Sequence, residues 1–126
     1  MIKEAYVSFK VARLLKEKGF DISCYQKYDN EGYLSFNHVG YVNSEKTCDD
    51  FYALAPTYQI AMKWLREIHH IFIEIHASID LNGKYHFSYS ILDKECKYIR
   101  RGFTDFDWNY EEAIEAALKY TLEKLV

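Results

Sequence analysis

Over residues 71–79 and again over 85–91 apolar side chains recur at every second position, a period that marks extended strands rather than a helix. Ile71, Ile73, Ile75, Ala77 and Ile79 point to one face; Phe72, Glu74, His76, Ser78 and Asp80 point to the other. The next run repeats the pattern, with Tyr85, Phe87, Tyr89 and Ile91 alternating with His86, Ser88 and Ser90. Residues opposed in a hairpin must share a face, so the loop length follows from the pattern. A two-residue Asn82-Gly83 turn would set Ile79 against His86 and mix the faces of every pair. A three-residue loop, Leu81-Asn82-Gly83, sets Ile79 against Tyr85, Ala77 against Phe87 and His76 against Ser88. This is a type I turn closed by a left-handed glycine, with Asp80 at its first position.

Helical periods flank the ribbon. Thr57, after the lone Pro56, can cap a helix whose Ile60, Ala61, Trp64, Leu65 and Ile68 fall on one stripe. At the other end Asn109 and Glu112 form an N-x-x-E capping pattern, and Ala113, Ile114, Ala117, Leu118, Thr121, Leu122 and Leu125 make a continuous apolar stripe. A third strand is expected within "CKYIRRGF". Residues 57–125 therefore read α-β-β-β-α: an α+β fold with a three-stranded antiparallel meander and helices packed on one face.

A helix and a short β-hairpin precede this unit. In "SFKVARLLKEKG" Val7, Val11, Leu14 and Leu15 share a face, Ser8 can cap the start and Gly19 suits the left-handed end. "CYQKYDNEGYLSF" reads as two strands around Asp29-Asn30-Glu31-Gly32, with Asp and Gly at the outer turn positions. Residues 37–55 show no period. With 126 residues and neither internal repeats nor a Gly/Ser linker, residues 1–126 are expected to form a single domain.

The formal net charge of -3 and pI near 5.9 disfavour nucleic acid or an anionic membrane as the main partner, because such binders concentrate positive charge. Cys24, Cys48 and Cys96 are odd in number and widely spaced, which fits reduced thiols rather than a disulfide framework. "MIKEAYVSFK" lacks the apolar run of a signal peptide, and no segment is apolar for long enough to span a membrane. The expected location is the cytoplasm.

Few residues suggest chemistry. Glu74, His76 and His86 share the polar face of the ribbon, with the two histidines diagonal, an arrangement that could converge on a divalent cation and support a metal-dependent hydrolase. No H-E-x-x-H or paired-cysteine motif accompanies them, so a solvated strand face accounts for the same residues and no cofactor is expected. His69 and His70 fall at a helix-to-strand junction. The three cysteines lie in no nucleophile signature, and Asp105 with Asp107 reads as compensation of a helix N-terminus rather than a magnesium site. Lys10 and Arg13 on the first helix, with Lys94, Lys97, Arg100 and Arg101 around the third strand, form a candidate patch for nucleic acid or an acidic partner. A charged edge that blocks aggregation explains the strand residues equally well. The chain also carries 12 Tyr, 8 Phe and 2 Trp, more aromatic surface than a core of this size must hold.

"SFKVARLLKEKGFD", "APTYQIAMKWLRE" and "NYEEAIEAALKYTLEKL" resemble the ordered landmarks of small, functionally unassigned proteins of phages, prophages and mobile elements of Bacteroides-type bacteria. The resemblance implies a genomic setting and an α+β fold, and no reaction. The α-β-β-β-α order also resembles, in topology alone, the double-stranded-RNA-binding domain and HicB-type antitoxins. In the RNA-binding family lysines at the start of the last helix clamp phosphates; here that turn is Asn109-Tyr110-Glu111-Glu112, after Asp105 and Asp107. The combined expectation is a non-catalytic binding protein acting as a homodimer or on a protein partner, with nucleic-acid binding as the alternative.

Overall fold

The computed structural model of the chain describes residues 2–36 and 52–126; Cys48 and most of the aperiodic stretch lie outside them. Among the described residues three helices and two three-stranded antiparallel sheets make up a fold of the predicted α+β class. The residues group into two compact units, Met1–Ala61 and Met62–Val126, with the division falling inside the second helix.

In the first unit, α1 (Phe9–Glu17) begins where the Ser8 hydroxyl accepts the Val11 N–H at 3.2 Å. It ends in a Schellman motif: Gly19 takes φ +88°, its N–H bonds Lys16 O, and Phe20 N–H returns to Leu15 O. Phe20 and Leu15 are both buried, which supplies the apolar contact that fixes this exit. Strands β1 (Gln26–Tyr28) and β2 (Leu34–Phe36) form the expected hairpin, with Gly32 N–H bonded to Asp29 O. Gly32 has φ +88° and faces the Phe9 ring so closely that an added Cβ would lie 2.9 Å from it. A two-residue strand, β3 (Ala53–Leu54), pairs with the other side of β1 and gives the order β2-β1-β3. The Tyr28 hydroxyl donates to Val7 O at 2.6 Å in the interior.

The Thr57 hydroxyl accepts the Ile60 N–H and starts α2 (Tyr58–Ile68). Ala61, Trp64 and Leu65 of its stripe are buried, but Ile60 and Ile68 are exposed, so the covered face is narrower than the sequence stripe.

In the second unit β4 (Phe72–Ile79) and β5 (Tyr85–Leu92) pair over eight residues in the predicted register: Ile79 with Tyr85, Ala77 with Phe87, His76 with Ser88. Asp80 N–H bonds Lys84 O, Gly83 N–H bonds Asp80 O, and Gly83 has φ +80°, which is the expected three-residue loop. β6 (Tyr98–Phe103) completes the meander β4-β5-β6 with two register shifts. α3 (Tyr110–Lys124) opens with both halves of the Asn109–Glu112 capping box and packs across β4 and β5. Ile71, Tyr89, Ile91 and Ala117 form the core beneath it, with Ile73, Ile75, Trp108 and Tyr120 packed alongside. Among the described residues the helical members of this cluster, Ala117 with Ala116 and Tyr120 alongside, belong to α3.

Candidate functional site

Glu74 and His76 lie where the alternation puts them, half-exposed on the polar face of β4, with His76 Nε2 at 4.0 Å from a Glu74 carboxylate oxygen. Their immediate neighbour is Ser90 on β5, whose hydroxyl lies 3.2 Å from His76 Nε2 and accepts the Gly102 N–H at 2.9 Å. Ser90 is 1% exposed, so this hydroxyl ties β5 to the bulge of β6.

The third candidate ligand, His86, points elsewhere. Its Nε2 meets Asp80 Oδ2 at 2.8 Å and its Nδ1 meets the Phe106 carbonyl. A carboxylate and a carbonyl can only accept, so both ring nitrogens donate and the imidazolium form is favoured. The Asp80 hydrogen bond, followed by the Phe106 carbonyl, raises the His86 pKa, and the His86 hydrogen bond is the largest of the effects that lower that of Asp80. A ring donating at both nitrogens has no lone pair for a cation. Glu74, His76 and His86, the one candidate ligand set in the sequence, do not converge, and no three His, Cys, Asp or Glu side chains among the described residues group as a ligand set. The sequence already held the reason: Asp80 sits beside His86 once the loop length is fixed.

The basic candidates divide in the same way. Arg100 does not share a surface with Arg101. Its guanidinium lies over the Phe103 ring at 3.9 Å and the Tyr120 ring at 4.2 Å, on the α3 side of the sheet. The register shifts cause this: Tyr98 pairs with Leu92, yet Arg100 pairs with Ile91, so one extra residue turns Arg100 to the core face. Arg101 lies over the Tyr98 ring at 4.7 Å, and Lys97 pairs with Glu95 at 3.5 Å. Lys94 is exposed. Lys10 and Arg13 are exposed on α1 in the other unit, where Arg13 lies over the Phe9 ring. Within its unit the patch is reduced to Lys94, Lys97 and Arg101.

Neither described thiol is poised as a nucleophile. Cys24 is buried, burial pushes its thiol up to about 12, and its S–H faces Ile22 O at 3.2 Å. It lines an open groove of about 500 Å³ with Glu4, Tyr6, Gln26 and Ile60, and no histidine stands there. Cys96 is exposed in a turn. Asp105 holds the Asp107 N–H and its carbonyl holds the Trp108 N–H, so it builds the approach to α3.

Among the described residues no strand pairs with the outer side of β4, which makes that edge a candidate binding surface. Asp80 N–H bonds across to β5, and antiparallel pairing alternates with period two. The even-numbered residues of β4 therefore face β5, while the N–H and C=O groups of Ile73, Ile75 and Ala77 point outward. β4 pairs with β5 in continuous register and carries no proline, no lysine and one carboxylate. Beyond the reach of α3 its apolar face is open: Ile79 is 60% exposed, and Tyr85 opposite it, with Leu81 in the loop, is also exposed. Periodicity marked these residues as one face; it does not say whether α3 is long enough to cover it. Among the described residues no helix is long and apolar enough to cross a membrane. Comparisons with family models, with curated proteins and with solved structures found no match.

Proposed function

We propose that this chain is a non-catalytic, cytoplasmic binding protein of phage or mobile-element origin that associates with protein chains, foremost its own copy, through the β4 side of its second sheet. The observation that carries the reading is the β4 edge: an eight-residue strand in continuous register, with no proline or lysine, with outward amides that no strand among the described residues pairs with, and continuous with exposed Ile79 and Tyr85. Exposed edges of this kind are ordinarily blocked by charge, proline or bulges, and the opposite edge of the same sheet has bulges and arginines. Nucleic-acid binding has less support, because Arg100 is turned inward and Asp105, Asp107, Glu111 and Glu112 surround the start of α3.

Sedimentation velocity over a micromolar dilution series tests the reading. The wild type is expected to show a monomer–dimer equilibrium that Ala77→Lys shifts toward monomer. A wild type that stays monomeric throughout removes self-association, and a dimer indifferent to Ala77→Lys removes the β4 edge as the surface.

A further inference from the structure

We infer that the occupant of this edge is β4 of a second copy, paired antiparallel about a two-fold axis at Ile75. The inference rests on the proposed β4 binding surface and adds its register.

Three features of β4 select that register. First, paired residues must share a face, so the axis must pass through a residue and not between two. Second, a two-fold interface sets the same strand against itself, so each charge must be compatible with what the reversed strand brings opposite it. An axis at Glu74 would oppose Glu74 to the partner's Glu74. An axis at His76 would oppose His76 to the partner's His76 and Glu74 to the partner's Ser78. An axis at Ile75 opposes Glu74 to the partner's His76, and by symmetry His76 to the partner's Glu74, giving two complementary pairs on the exposed face. Third, the same axis sets Ile75 against the partner's Ile75, Ile73 against the partner's Ala77 and Ile71 against the partner's Ile79. Ile79, exposed in the single chain, then gains an apolar neighbour.

The backbone admits this register. Ile73, Ile75 and Ala77 are the residues whose N–H and C=O groups point off the edge, and in this register they face one another, so each facing pair can exchange two hydrogen bonds. The result is a continuous six-stranded sheet with a bulged β6 at both outer edges.

Charge exchange and cross-linking test the register in the full chain. Glu74→His alone opposes two histidines in each pair and His76→Glu alone opposes two carboxylates. Each is expected to weaken self-association by roughly 2- to 30-fold, the span for two cross-strand pairs lost, while the double variant E74H/H76E restores it. These side chains are about half exposed, so the variants leave the core untouched. With Cys48 and Cys96 changed to serine, oxidising a mixture of Glu74→Cys and His76→Cys chains is expected to give a disulfide-linked dimer. Neither variant alone should do so, because its own thiols are diagonal and about 7–8 Å apart. A wild-type dimer whose single and double variants behave alike, and whose mixture does not cross-link, overturns the register and leaves the binding surface standing. A wild type that never self-associates overturns both.

Discussion

Replacing Cys96 by glycine is expected to stabilise the protein. The sequence places one loop in three positions: Asp29-Asn30-Glu31-Gly32-Tyr33, Asp80-Leu81-Asn82-Gly83-Lys84 and Asp93-Lys94-Glu95-Cys96-Lys97. In each, the Asp side chain accepts N–H groups two and four residues on, at 2.8–3.0 Å, and the fourth N–H returns to the Asp carbonyl. The fourth residue is left-handed in all three, with φ +88°, +80° and +60°, and only in the third is it not glycine. A left-handed backbone costs an L-residue about 1–2 kcal/mol. Glycine returns about 0.4–1 kcal/mol of that through the greater freedom of its unfolded chain. Cys96 is exposed, so no packing is lost with the thiol. The net gain is about 0.5–1 kcal/mol, or about 2–4 °C in Tm for a chain of 126 residues. Thermal unfolding followed by tryptophan fluorescence reports on this turn, since Trp64 and Trp108 both belong to its unit. Cys96→Ala keeps the strained φ and is expected to change little. A Cys96→Gly protein no more stable than Cys96→Ala would refute the reasoning, because the gain would then not come from the backbone.

Three further outcomes follow from the polar contacts. Asp80→Asn should lower the midpoint of the His86 titration followed by NMR, and an unmoved midpoint would show that the contact is not ionic. In the wild type, the raised pKa of His86 makes its contribution to stability full below about 6.5 and lost as pH rises through the folded value. The lowered pKa of Asp80 makes its contribution full above about 3.8 and lost as pH falls, so the pair contributes most between those limits. Asn109→Ala removes the capping box of α3 and should cost about 1 kcal/mol in a denaturant titration. Ser90→Ala should cost about 1–2 kcal/mol and speed exchange of the Gly102 amide, with unchanged protection showing that the amide is held by something else.

The parts of the fold legible in the sequence were those set by local rules. Alternation together with the need for paired residues to share a face specified the β4–β5 register and its loop, and Asn109 with Glu112 specified where α3 starts. What was illegible depended on partners distant in sequence. β3 is two residues long, too short to show a period, and exists because β1 offers it an edge. Grouping Arg100 with Arg101 by their nearness in sequence says nothing of the face each takes, and β6 takes in extra residues near Ile99 and Gly102 that turn Arg100 toward α3. A glycine inside a strand was the available signal for the second of these. Ile60, Ile68 and Ile79 were assigned to apolar faces correctly, yet a period gives the direction of a side chain and not the extent of what covers it.

The polar candidates around the second sheet are tied up by backbone and side-chain contacts that residue type alone does not show. The hairpin loops require an acceptor at their first position, and Asp80, Asp93 and Asp29 fill it, each holding two backbone N–H groups; Asp105 does the same work ahead of α3. His86 is held in turn by Asp80, and Ser90, the hydroxyl beside His76, is held by the β6 bulge. Among the described residues, the outward amides and carbonyls of β4, flanked by Glu74 and His76, are a continuous row of polar groups that no strand of the second sheet pairs with. A strand edge offers hydrogen bonds in a fixed register, and that is the physical ground on which we propose binding by strand pairing for this chain.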